Sequence, residues 1–127
     1  MTFPMRDSRE VLFYLDFIEG LRGDPVKTAE RLLAGETFVN REPGNSMTPK
    51  IQSRQPVRLA PATWETVEVG DIVFCKVRGN YYTHLVKAKQ NDRGVLIGNN
   101  HGNINGWTKQ VYGKVIEILP VDYREGA

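Results

Sequence analysis

The chain has 127 residues, 40% of them apolar, and a formal net charge of +2 at pH 7, which predicts one domain with a modest core. Its 17 basic and 15 acidic side chains are interspersed, so they form no basic run of the kind that marks nucleic-acid binding. A single cysteine excludes an internal disulfide framework. The sequence has no apolar secretion signal and no apolar window of about 18 residues, which predicts a cytoplasmic protein without membrane contact.

Two helices are predicted at the start of the chain. The stretch from Ser8 to Arg22, "SREVLFYLDFIEGLR", repeats apolar residues at helical spacing, with Ser8 as its N-cap. Asp24 followed by a proline predicts the N-cap of a second helix, which Gly35 ends after Ala34. These elements form a predicted helical arm over residues 1–36, which either packs onto the rest of the domain or forms a dimer contact.

After the arm, the helical spacing of apolar residues is replaced by short β-type segments, which are separated by Pro, Gly, Asn and Asp turn signals. The predicted strands are ETFVNR (36–41), QPVRLAP (55–61), ETVEV (65–69), DIVFCKV (71–77), NYYTHLVKA (80–88), GVLIG (94–98) and VYGKVIEIL (111–119). The sequence therefore predicts a mainly β (α+β) fold, with a twisted β-sheet domain over residues 37–127 after the two-helix arm.

Five short blocks occur in a fixed order along this β region. They are GNSMTP (44–49), VGDIV (69–73), YTHLV (82–86), GNN (98–100) and YGKV (112–115). In this order they resemble the superfamily of serine peptidases that unites LexA-type self-cleaving repressors with type I signal peptidases. The likeness spans residues 38–119 and implies a signal-peptidase/LexA-like sheet, peptidase activity without a cofactor, and a bacterial or phage regulatory setting.

The resemblance implies a nucleophile and a base. The serine after G-x is the family's nucleophile, which is Ser46 here, and the base on the strand after the GDIV block falls at His84, as in the endoplasmic-reticulum and archaeal signal peptidases. Lys87 stands three residues later, and an odd offset in a strand turns the two side chains to opposite faces. We expect His84 to be the base, because histidine is largely neutral near pH 7 without a sealed apolar pocket.

The residue that orients His84 is less clear from the sequence. Histidine-type relatives carry aspartates in a segment read as G-D-N-N and in a further Asp pair after it, whereas this chain has "GNNHGNING" with Asn99 and Asn105 as candidates. An asparagine oxygen can orient a histidine but cannot offset the charge of the imidazolium. The same run also fits a plain hairpin loop. Backbone amides near Asn45 and Met47 are the expected oxyanion and substrate-binding groups.

Other chemistry is weakly supported. His101 and Cys75 are isolated and lack metal-ligand spacing, so no metal is expected. Stacking of single-stranded nucleic acid on Tyr81 or Tyr82 stays open beside an ordinary strand composition. The short segment before the β region argues against the helix-turn-helix domain of the repressors, and hence against DNA binding.

Two functions are consistent with the sequence. The first is a serine endopeptidase that cleaves an extended segment of a polypeptide partner or of itself, with Ala34-Gly35 as the candidate self-cleavage bond. The second is a catalytically degenerate relative that binds a peptide or a protein. A homodimer is compatible with both functions, and the sequence names no substrate.

Overall fold

The computed structural model describes residues 24–124, which form a seven-stranded antiparallel sheet with one helix packed on it. The predicted helix over residues 8–22, and with it the two-helix arm, lies outside the described residues. The second predicted helix is present as α1, Pro25–Leu33, and Pro25 opens it. The Asp24 side chain caps α1 by accepting a hydrogen bond from the Lys27 amide at 3.2 Å.

Seven strands follow α1 in the chain. They are β1 (Phe38–Asn40), β2 (Val57–Pro61), β3 (Ile72–Val77), β4 (Asn80–Gln90), β5 (Gly94–Gly98), β6 (Ile104–Thr108) and β7 (Val111–Ile118). Their order across the sheet is β1-β2-β7-β3-β4-β5-β6, so β3 and β4 lie inside the sheet and β6 is an edge. The mainly β fold that the sequence predicts is therefore confirmed.

The sheet is irregular as well as antiparallel. Four of its six strand pairs contain a register shift, between β2 and β7, β3 and β7, β4 and β5, and β5 and β6. A bulge adds one residue to a strand, bends it and increases the local twist. Two of these bulges fall near the candidate site and change where individual side chains point.

The core lies on both faces of β3, because successive strand residues alternate between faces. Val73, Cys75 and Val77 join one buried cluster with residues of β4, β5 and the loop before β3. Phe74 joins a second cluster on the other face, together with Leu32 of α1. The helix therefore covers one face of the sheet by burying an apolar stripe there.

Two strand predictions need correction. The segment 65–69, predicted as a strand, is a turn in which the Thr66 and Val67 amides donate to the carbonyl of Thr63, and only Val67 of this segment is buried. The sequence analysis also missed β6, whose residues Ile104–Thr108 include an asparagine and a glycine that disfavour strands.

Within residues 24–124, no helix has the length and apolarity needed to cross a membrane.

Candidate active site

Ser46 lies on an exposed turn between β1 and β2. Gly44, two residues earlier, has φ +117°, a left-handed backbone that glycine adopts readily. The turn closes when the Thr48 amide and hydroxyl donate to the Asn45 carbonyl, at 3.2 and 2.9 Å. The "PGNSMTP" pattern thus builds a compact turn that presents one serine hydroxyl at the surface.

The connection between β5 and β6 holds this serine turn in place. The Asn100 amide donates to the Ser46 carbonyl at 3.0 Å, and the Asn100 side chain donates to the Thr48 carbonyl at 2.9 Å. The Nε2 atom of His101 lies 3.0 Å from the Asn45 carbonyl oxygen and 3.1 Å from Thr48 Oγ1. Two loops that are far apart in sequence therefore fix each other.

His84 faces the serine from β4. Its Nε2 atom lies 3.0 Å from Ser46 Oγ, and the ring stacks on Tyr82, two residues earlier on the same strand face, with centroids 4.9 Å apart. His84 is only 7% exposed, and this burial lowers its pKa below the ordinary value of 6.5, whereas the hydrogen bond to Asn105 acts in the opposite direction. The imidazole is therefore neutral at pH 7 and able to accept a proton.

Asn105 stands behind His84. Its Oδ1 atom lies 2.7 Å from His84 Nδ1, and because a carbonyl oxygen can only accept, Nδ1 carries the ring proton. Nε2 then has a free lone pair, and it accepts a hydrogen bond from the Ser46 hydroxyl in the 3.0 Å contact. The chain Ser46–His84–Asn105 thus has the hydrogen-bond polarity of a serine triad with an amide in the carboxylate's place.

A β-bulge positions Asn105. Ile97 pairs with Gly106 and Gly98 pairs with Ile104, so Asn105 is the extra residue on β6. Gly106 follows it with φ +137°, and a Cβ atom there would lie 3.2 Å from Val77, so a larger residue would be strained and crowded. The bulge re-aims Asn105 toward His84, as bulges near functional sites often do.

The other predicted residues occupy different positions. Asn99 forms no hydrogen bond with His84: its Oδ1 accepts from the His101 and Asn103 amides, at 2.8 and 3.0 Å, and shapes the β5–β6 connection. Met47 is buried beneath the turn. Within residues 24–124, no atom accepts a hydrogen bond from the backbone amides of Ser46 and Met47. These amides are available donors beside the Ser46 hydroxyl.

Lys87, the other basic candidate, forms no hydrogen bond with Ser46. It is the extra residue of the bulge between β4 and β5, since Val86 pairs with Ile97 and Ala88 with Leu96. Its side chain is exposed and its Cε atom passes close to Gly98. Of the two basic candidates, the structure brings His84 to Ser46.

A cleft beside Ser46 contains a residue that sequence reasoning missed. Glu42 and Thr83 line this open cleft together with Ser46. Glu42 Oε1 accepts from Thr83 Oγ1 at 2.7 Å and from Asn40 Nδ2 at 3.1 Å. Burial raises the pKa of Glu42, and these two hydrogen bonds oppose the rise. The signal available in the sequence was one carboxylate just before the PGNSMTP turn.

Residues 24–124 contain no group of three or more His, Cys, Asp or Glu side chains that could hold a metal ion.

Comparisons of the chain with protein-family models, with curated proteins and with solved structures found no match. The relationship to LexA-type repressors and signal peptidases therefore stays an expectation from the motif blocks.

Proposed function

We propose that this protein is a serine endopeptidase that cleaves an extended polypeptide segment, with Ser46 as nucleophile and His84 as general base. The observation that carries the proposal is the continuous chain of contacts, 3.0 Å from Ser46 Oγ to His84 Nε2 and 2.7 Å from His84 Nδ1 to Asn105 Oδ1. Both distances lie within hydrogen-bonding range for activating a hydroxyl nucleophile.

The reaction follows from this polarity. His84 Nε2 takes the hydroxyl proton while Ser46 Oγ bonds to the scissile carbonyl carbon, and the carbonyl oxygen becomes an oxyanion. The imidazolium then gives its proton to the leaving amine nitrogen as the C–N bond breaks, which leaves an ester on Ser46. Water attacks the ester with His84 again as base, and the imidazolium returns its proton to Ser46 Oγ as the ester C–O bond breaks and the acid product departs.

The serine turn offers donors for the oxyanion. The Ser46 and Met47 amides have no protein acceptor among the described residues, and a developing negative charge next to Ser46 would bind them. The neighbouring Asn100 and His101 contacts hold the turn, so these amides need little rearrangement during the reaction. Preorganised donors of this kind commonly contribute about 3 kcal/mol to a transition state.

Covalent labelling tests the proposal. A fluorophosphonate probe should label the native protein, and peptide mass mapping should place the adduct on Ser46. Ser46→Ala should abolish labelling, and His84→Gln should slow it by about 10² or more, since a general base contributes that much. Thr37→Ala is the matched control: this exposed hydroxyl precedes β1 and lies outside the serine turn, so labelling should persist. Equal labelling of native protein and Ser46→Ala would refute the proposal.

A second candidate function rests on Asn105. A neutral amide orients His84 but gives no charge stabilisation to the imidazolium, which favours a relative that binds peptides without cutting them. In that case the probe would leave Ser46 unmodified, while a peptide substrate of an active relative would bind the native protein and Ser46→Ala equally.

A further inference from the structure

We propose that Glu42 makes this site selective for a basic side chain, lysine or arginine, next to the bond that is cut. The inference rests on the proposed function, because it assigns the cleft beside Ser46 to the substrate residue that supplies the scissile carbonyl. Ser46 and Glu42 line the same cleft. A residue whose carbonyl carbon lies at Ser46 can therefore direct its side chain toward Glu42.

The residues that line this cleft combine apolar and polar groups. Met47, Ile51 and Val57 contribute apolar groups to the lining, and Gln52 and Gln55 contribute amides. Lysine and arginine combine an aliphatic stem with a charged head, so they can contact both kinds of group.

One oxygen of Glu42 is available for a ligand. Both hydrogen bonds to the carboxylate, from Thr83 and Asn40, go to Oε1. Within the described part of the chain, Oε2 has no hydrogen-bond partner, yet no fully buried side-chain oxygen lacks one, so Oε2 is accessible to solvent. No lysine or arginine of residues 24–124 forms an ion pair with Glu42.

The half-buried, unpaired carboxylate explains why a cation would be preferred. Desolvation disfavours the charged form of Glu42, and burial raises its pKa accordingly. A bound ammonium or guanidinium supplies the missing opposite charge inside the cleft, where the effective dielectric is lower than in water. A glutamate side chain in the substrate would meet repulsion at the same place.

The first experiment compares diphenyl phosphonate probes that differ only in the side chain at the reactive position: lysine-like, leucine-like and glutamate-like. The native protein should react at least tenfold faster with the lysine-like probe than with the leucine-like one, and slowest with the glutamate-like one. Glu42→Gln keeps an oxygen acceptor for Thr83 and Asn40 but removes the charge, and it should bring the lysine-to-leucine ratio close to one. Glu65→Gln, an exposed carboxylate on a distant turn, should leave the ratio unchanged.

The outcomes separate this inference from the proposed function. Equal rates for the three probes, or an unchanged ratio in Glu42→Gln, would overturn the role of Glu42 while labelling of Ser46 still supports a peptidase. If no probe labels Ser46, the peptidase proposal fails, and n-butylammonium titration followed by NMR tests the charge site alone. Shifts of the Glu42, Gln52 and Thr83 amides that disappear in Glu42→Gln would support a cation site, and their absence in the native protein would overturn it.

Discussion

Replacing Asn105 by aspartate should turn the neutral partner of His84 into a charged one. The new carboxylate would keep the 2.7 Å contact with Nδ1 and attract the imidazolium that forms when Ser46 attacks. Two unit charges about 4 Å apart at an effective dielectric of about 20 interact by ~4 kcal/mol, which corresponds to about 10³ in rate at 1.36 kcal/mol per decade. Because Asn105 is half-buried and water screens part of this charge, we expect an increase of about 10².

The rate increase expected for Asn105→Asp has an upper limit. Changing aspartate to asparagine in a serine-protease triad lowers the rate by about 10⁴, so the reverse change should not exceed that factor. The assay is the rate of Ser46 labelling by a fluorophosphonate at pH 8, supported by peptide hydrolysis. Asn99→Asp is the matched control, because Asn99 accepts from two loop amides and forms no hydrogen bond with His84. An equal gain in both variants, or none in Asn105→Asp, would refute the orienting role of Asn105.

Three further predictions concern proton uptake, helix packing and self-processing. In the proposed mechanism the neutral form of His84 is the base, and burial lowers its pKa below 6.5, so kcat/KM should be highest above that pKa and fall as pH drops through it; a midpoint above 7 would contradict this. Leu32→Ala, at 2% exposure, should lower the free energy of unfolding by about 2–5 kcal/mol, whereas Leu33→Ala, at 72%, should change it by less than ~0.5 kcal/mol in urea denaturation. Ala34 caps α1, and the Gly35 amide bonds to the Leu32 carbonyl, so the bond between them is not extended. Intact mass should therefore stay unchanged at pH 8 in dilute protein, and concentration-independent loss of residues 1–34 would contradict this.

Much of the fold could be predicted because its signals are local. The Asp24-Pro25 pair and Gly35 bound α1 closely, since a cap and a helix stop act through neighbouring backbone groups. Strands with many β-branched residues, such as β3, were found for the same reason. The strand predicted at 65–69 was wrong because its valine and threonine residues favour strands, whereas the hydrogen bonds to Thr63 close a turn there.

The site was predictable only in part. Ser46 and His84 stand out because the motif blocks fix their order, and the structure brings the two side chains together. The choice between Asn99 and Asn105 depends on a bulge in β6, which arises from pairing with β5 and leaves no clear local pattern. Glu42 was missed for a similar reason, since its contact with Thr83 joins positions 41 residues apart in the chain.

The location of Asn105 on an edge strand links catalysis to local opening of the sheet. β6 pairs on one side only, with β5, and such elements open at a lower free energy than the centre of a sheet. When β6 separates, His84 loses the group that fixes its tautomer, while β3 and β4 remain paired. In the proposed mechanism, activity should therefore disappear at a lower urea concentration than the global unfolding transition.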